Sequence, residues 1–135
     1  GDGGGSGFDS ISESSIDYFT QSIGDTILFQ VNESTLRPDA IETLRSQAIW
    51  LQENNAIPIT IEGHADEQGT REYNLALGAR RATAVRNYLV SQGISESKLS
   101  IVTYGKERPI EVCSEERCWS QNRRSVTVVS GGLGN

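Results

Sequence analysis

Two residues of opposite charge, Asp66 and Arg81, stand in the run that reads ITIEGHADEQGTREYNLALGARRATAVRNYL from Ile59. A guanidinium forks onto a carboxylate, and a carboxylate accepts from an ammonium. Set on two sides of one small groove, they suit a zwitterion. The alternative is an intramolecular salt bridge that ties loop to helix, since structural ion pairs are common. Successive helical residues turn by about 100° and rise about 1.5 Å, so Asn74 and Arg81 fall together on one flank of a helix, while Arg80 faces solvent.

The single histidine, His64, alternates with Glu62 and Asp66, so a metal or acid–base site at a strand end is conceivable. It has no second nitrogen ligand and no evident nucleophile, and a loop-fixing role by hydrogen bonds is preferred. A hydrolase using His64 with Asp66 or Glu67 stays as the enzymatic alternative; otherwise Glu67 is solvated or on the groove rim. No phosphate loop, dinucleotide fingerprint or G-x-S-x-G elbow is present. Cys113 and Cys118 form either a metal half-site, with the remaining ligands unaccounted for, or a local disulfide. The disulfide is favoured and implies an oxidising compartment. Arg123 and Arg124 are neighbours on a strand and face opposite ways, so one could approach the groove, or both are sheet-end charges.

The elements that would position these groups follow from periodicity. Ile57, Ile59 and Ile61 alternate with polar residues as in a strand with one buried face. Gly63 and Gly69 bracket a loop, and Thr70 is a helix N-cap. Leu75, Gly78, Ala82, Val85 and Leu89 recur at steps of three and four, the stripe of a helix lying on a core. Before this unit, residues 26–31 read as a strand with Ile27, Phe29 and Val31 on one face. Pro38 opens a helix, with Ile41, Leu44, Ala48 and Leu51 inward and Trp50 on the far side, either exposed for a partner or covered by residues 16–23. After it, residues 99–104 and 125–129 read as strands, with a short helix near 114–121. The order β-α-β-α-β-β predicts an α/β (α+β) sandwich: one mixed four-stranded sheet with helices on one face. Residues 1–15 read as a flexible leader, 16–130 as the domain and 131–135 as a loose tail.

The net charge of −6 weighs against nucleic acid, whose phosphates want a basic surface. No apolar run reaches membrane-span length. Nothing in the motifs calls for a cofactor.

The run IEGHADEQGTREYNLALGARRATAVRNYL, with residues 99–105, Lys106 to Pro109 and QNRRSV from Gln121, resembles the OmpA-like peptidoglycan-binding domains. The resemblance implies a non-catalytic module that grips the diaminopimelate group of the peptidoglycan stem peptide. Asp66 matches the family's Asp in G-H-A-D, Arg81 its helical Arg in L-G-x-R-R-A, which begins at Leu77, and Asn74 its Asn in E-Y-N. Leu77 and Asn32 complete the implied ligand set. Where the family's first strand usually ends F-D-x-D, this chain reads Phe29, Gln30, Val31, Asn32, without the carboxylates. The likeness is nearest to a lipid-anchored branch at the periplasmic face of the outer membrane that also binds TolB, the β-propeller of the Tol system. It implies an N-terminal lipid not contained in this chain. Porin tails and flagellar stator domains of the same family are the alternatives.

Overall fold

The structure is a computed structural model that describes residues 12–129. Most of the expected leader, residues 1–11, and the expected tail, residues 131–135, lie outside the described residues.

Alternating isoleucines build the central strand β2 (Ile59–His64), in which Ile59 and Ile61 are buried while Thr60 and Glu62 are partly exposed. It pairs in parallel with β3 (Leu99–Gly105) on one side and antiparallel with β4 (Arg124–Val129) on the other. β1 (Thr26–Leu28) pairs antiparallel with β4, giving the spatial order β1-β4-β2-β3. Two long helices, α2 (Pro38–Glu53) and α3 (Arg71–Ser91), share one core with the inward strand residues. Leu44, Leu51, Ala82, Val85 and Leu89 meet Ile27, Ile59, Ile61 and Val129 there, so the α/β sandwich expected from the order of elements is the architecture observed. Pro38 opens α2, and the Thr70 hydroxyl caps α3 by accepting the N–H of Tyr73 at 3.0 Å.

The contact that seats α3 on the sheet is made by two glycines. A Cβ on Gly63 would lie 1.7 Å from the carbonyl oxygen of Gly78, and one on Gly78 would lie 2.4 Å from Thr103 Oγ1. Backbone therefore packs on backbone, which only glycine at both positions permits. Asn74 and Arg81 flank Gly78 on the same helix, so this close approach brings both down to the strand end.

The first strand is shorter than its alternation predicts. It stops at Leu28, and Val31 is 52% exposed in a turn. The Phe29 N–H still bonds to the Arg123 carbonyl at 2.8 Å, but Glu33 N–H then turns back onto the Gln30 carbonyl and Asn32 adopts φ +60°. The aromatic side chain stays buried although the ladder has ended. Trp50 is covered, as one of its two readings anticipated. It packs on Phe19 with ring centroids 4.9 Å apart, and its indole donates to the Glu13 carbonyl at 2.6 Å. The covering segment is α1 (Ile16–Tyr18) and the π turn Phe19–Gly24 that continues it.

Candidate functional site

Three segments converge at the carboxyl end of β2. The register slips between Gly63 and His64, where β2 pairs with Gly105, and the Ala65 N–H follows by bonding to the Gly105 carbonyl at 2.8 Å. This irregularity separates two residues that simple alternation puts on one face. His64 Nε2 pairs with Glu62 at 3.0 Å and its ring stacks on Tyr104. Asp66 instead lines a pocket that His64 does not line. The grouping of Glu62, His64 and Asp66 on one face is thereby corrected, and His64 has Glu62 rather than Asp66 as its partner. Burial pulls the His64 imidazole below its ordinary value, and the hydrogen bond with Glu62 offsets only part of that.

The pocket has a volume of about 150 Å³. All five residues of the expected ligand set line it: Asn32, Asp66, Asn74, Leu77 and Arg81. Gln68, Tyr73 and Arg123 complete its polar wall. Its parts are held by local chemistry. Asp66 Oδ1 accepts the Gln68 N–H at 2.9 Å, the side-chain-to-backbone turn that Asp favours. Asn74 Nδ2 donates to the carbonyls of Gln68 and Thr70 at 2.7 and 3.0 Å, so this side chain fixes the loop from the helix below. Lys106 Nζ secures the same loop through the Gly69 carbonyl at 2.7 Å. Asn32, in its left-handed turn, accepts from the Tyr73 hydroxyl at 3.1 Å.

Asp66 and Arg81 both line the pocket but do not pair with each other, so the salt-bridge reading is corrected. Arg81 is fully buried and donates to three backbone carbonyls: Glu33 at 2.8 Å, His64 at 2.9 Å and Gln30 at 3.0 Å. Its guanidinium also lies 5.2 Å from the centre of the Phe29 ring. Among the described residues no carboxylate stands in ion-pair contact with it. Burial, and then repulsion from Arg123, pulls its pKa down to about 10, so it remains charged at neutral pH. Asp66 pairs with Arg123, whose Nη1 donates to Oδ2 at 3.0 Å. Arg123 also binds Glu116 at 2.5 Å and the Phe29 carbonyl at 3.1 Å. Burial works against the charge of Arg123, but the bonds to Glu116 and Asp66 outweigh it and raise its pKa.

Arg123 is thus the member of the site that sequence reasoning left undecided. The available signal was its adjacency to Arg124: of two neighbours entering the last strand and facing opposite ways, one could approach the groove. Arg124 turns to the other side, where it donates to the carbonyls of Asn122 and Arg108. Gln68 and Tyr73 carried no such signal. Glu67 is exposed, as expected, and its carboxylate also accepts from the Trp119 indole at 3.0 Å. Hydrogen bonds from Ser114 and Trp119 hold the Glu67 carboxyl below its ordinary value. The cysteines resolve to the Cys113–Cys118 disulfide.

The fold and the pocket define an α/β domain with a small cleft, walled by an acid and floored by a buried cation. The OmpA family model matches residues 28–123, and the chain belongs to the OmpA family. Within it, the chain is 58% identical over 113 residues to the peptidoglycan-associated lipoprotein of Mesorhizobium japonicum, covering 84% of this chain and 67% of that protein. It is 55% identical over the same length to the peptidoglycan-associated lipoprotein of Agrobacterium fabrum, covering 84% of this chain and 64% of the relative. The chain therefore spans about two thirds of the length of these relatives. Among solved structures, the peptidoglycan-associated lipoprotein from Burkholderia pseudomallei superposes with a TM-score of 0.77 at 34% identity, covering 81% of this chain and 94% of that one. The C-terminal domain of Helicobacter pylori MotB superposes with a TM-score of 0.72 at 22% identity, covering 77% and 82%. At that identity the likeness to MotB is one of fold alone.

Proposed function

We propose that this chain is a non-catalytic wall-binding domain whose pocket takes the diaminopimelate side group of the peptidoglycan stem peptide. The carrying observation is Arg81: a charged guanidinium, fully buried, facing the pocket, with its counter-charge unsupplied by any carboxylate in ion-pair contact among the described residues. A guanidinium has more N–H donors than three carbonyls consume, so a ligand carboxylate can be received by the remainder. Asp66 offers the complementary end. Arg123 and Gln68 hold its carboxylate in place, and its remaining lone pairs accept an ammonium. A zwitterionic group satisfies both ends at once, which neither a simple anion nor a simple amine does. The names of the relatives support the same reading.

Peptidoglycan attachment at the periplasmic face of the outer membrane follows, with a lipid outside this chain at one end and the wall at the other. Binding through one small group is modest per site. Many copies along one polymer multiply it, as suits a reversible tether. Participation in the Tol–Pal system, with TolB as a protein partner, belongs to the same proposal.

The test is calorimetric titration with a diaminopimelate-containing tripeptide, beside the same tripeptide carrying lysine, and sedimentation with purified peptidoglycan. Saturable binding of the first peptide, weak binding of the second and an intact polymer afterwards are expected. Equal affinity for both peptides, or no co-sedimentation of the folded chain, overturns the reading.

A further inference from the structure

The pocket's outer wall depends on a helix that cannot hold itself. α4 (Glu116–Asn122) has seven residues. Helices shorter than about 12 residues are marginal on their own because nucleation is costly. The loop leading into it brings little apolar burial to offset this: Ile110 is 56% exposed and Val112 is 85% exposed. A segment with few buried apolar contacts lies at the low end of local stability. Two devices hold it. The Asn122 side chain accepts from the N–H groups of Ile110 and Glu111 at 2.8 and 3.2 Å and donates to the Glu111 carbonyl at 2.9 Å. The Cys113–Cys118 disulfide ties the loop to Cys118, the buried third residue of the helix.

What this clamped segment touches is the pocket's own acidic loop. Glu116 pairs with Arg123, which in turn holds Asp66. Trp119 donates to Glu67, the neighbour of Asp66. One support of the Asp66 carboxylate, Arg123, and the anchor of its neighbour Glu67 therefore pass through a segment held by the cross-link, while Gln68 holds Asp66 from within the loop. Resting on the wall-binding reading above, we propose that the Cys113–Cys118 disulfide is a positioning device for the pocket: it holds α4 so that Glu116 and Trp119 fix Arg123 and Glu67 around Asp66. Without it the sheet and the two long helices keep their core, which contains neither cysteine. The pocket then has to order that wall when the ligand arrives. Ordering one or two side chains on binding weakens affinity by about tenfold.

The experiment compares the oxidised wild-type chain with the C113A/C118A double variant. Tripeptide affinity by calorimetry is expected to fall about tenfold while far-UV circular dichroism stays the same. Trp50 is buried, so acrylamide quenching of fluorescence reports on Trp119, and quenching is expected to rise in the variant. Two further variants keep the cross-link. Glu67→Ala should reproduce the affinity loss, and Glu67→Gln, which retains an acceptor for the indole, should restore most of it. A folded double variant that binds within twofold of wild type overturns the proposal; should that variant fail to fold, full affinity in Glu67→Ala does the same. If the wild-type chain binds no tripeptide at all, the wall-binding reading has failed. Unchanged quenching then decides separately against the disulfide as what holds Trp119.

Discussion

Asp66 and Arg123 form the buried ion pair of the site, 3.0 Å apart, although 57 positions separate them in the chain. Removing one partner leaves the other charge buried and unpaired, which costs about 3 kcal/mol or more. Arg123→Ala is therefore expected to lower stability by roughly that amount in urea denaturation. Arg123→Lys should recover part of it, since an ammonium can reach Asp66 but cannot also fork onto Glu116 and the Phe29 carbonyl.

Arg81 holds three backbone carbonyls and, on the wall-binding proposal, also receives the ligand's carboxylate. Arg81→Ala strips the donor from one buried carbonyl, His64, and two partly buried ones, Gln30 and Glu33; the buried one alone is worth about 1 kcal/mol or more when left unmade. Loss of wall binding in that variant is expected together with a lower melting temperature, and thermal melts must accompany the sedimentation assay. Arg81→Lys retains the charge without the fork. It should remain folded and bind the tripeptide more weakly than wild type.

The glycine contact under α3 admits no side chain. Gly78→Ala places a Cβ against Thr103 Oγ1 and the Gly63 carbonyl, and overpacking of that kind costs about 1–3 kcal/mol. Because the helix must lift to make room, the same variant is expected to lose tripeptide affinity, although residue 78 does not line the pocket. Chemical denaturation and calorimetry on one sample read both effects.

His64 sets a pH dependence on the side of the sheet away from the pocket. Its pKa in the folded chain lies below the ordinary 6.5, so the unfolded chain takes up the proton first as pH falls. Stability is complete above about pH 6.5 and declines as pH drops from there toward the folded-state value. The facing groups are Glu62, which favours the proton, and Arg124 and Arg108, which oppose it. A series of melts between neutral and mildly acidic pH should show this decline in the wild-type chain and lack it in His64→Gln. The lowered carboxyls of Glu67 and Glu116 act in a different window, below the ordinary 4.5 of a glutamate, where their contribution is lost on protonation.

Much of the molecule was legible in the chain itself. Alternating isoleucines, the Thr70 cap, Pro38 and the three-and-four stripe in residues 75–89 are local rules, each satisfied within a few residues, and the elements they predict are present. The helical wheel placed Asn74 and Arg81 on one flank, and both line the pocket. Which residue Arg123 would meet, and which carbonyls Arg81 would take, were not local questions. Arg81 bonds to Gln30, Glu33 and His64, and Asp66 to Arg123, across long stretches of chain. Such pairings depend on the β1-β4-β2-β3 order of the sheet, on the register slip at His64 and on the depth of the Gly63–Gly78 contact. Side-chain types and periodicity settled the elements and proposed the charges, because backbone hydrogen bonding and amphipathic burial act between near neighbours. The partner of each charge was decided only by packing, because in a buried site the nearest opposite charge or free carbonyl is whichever one the assembled layers bring within about 3 Å.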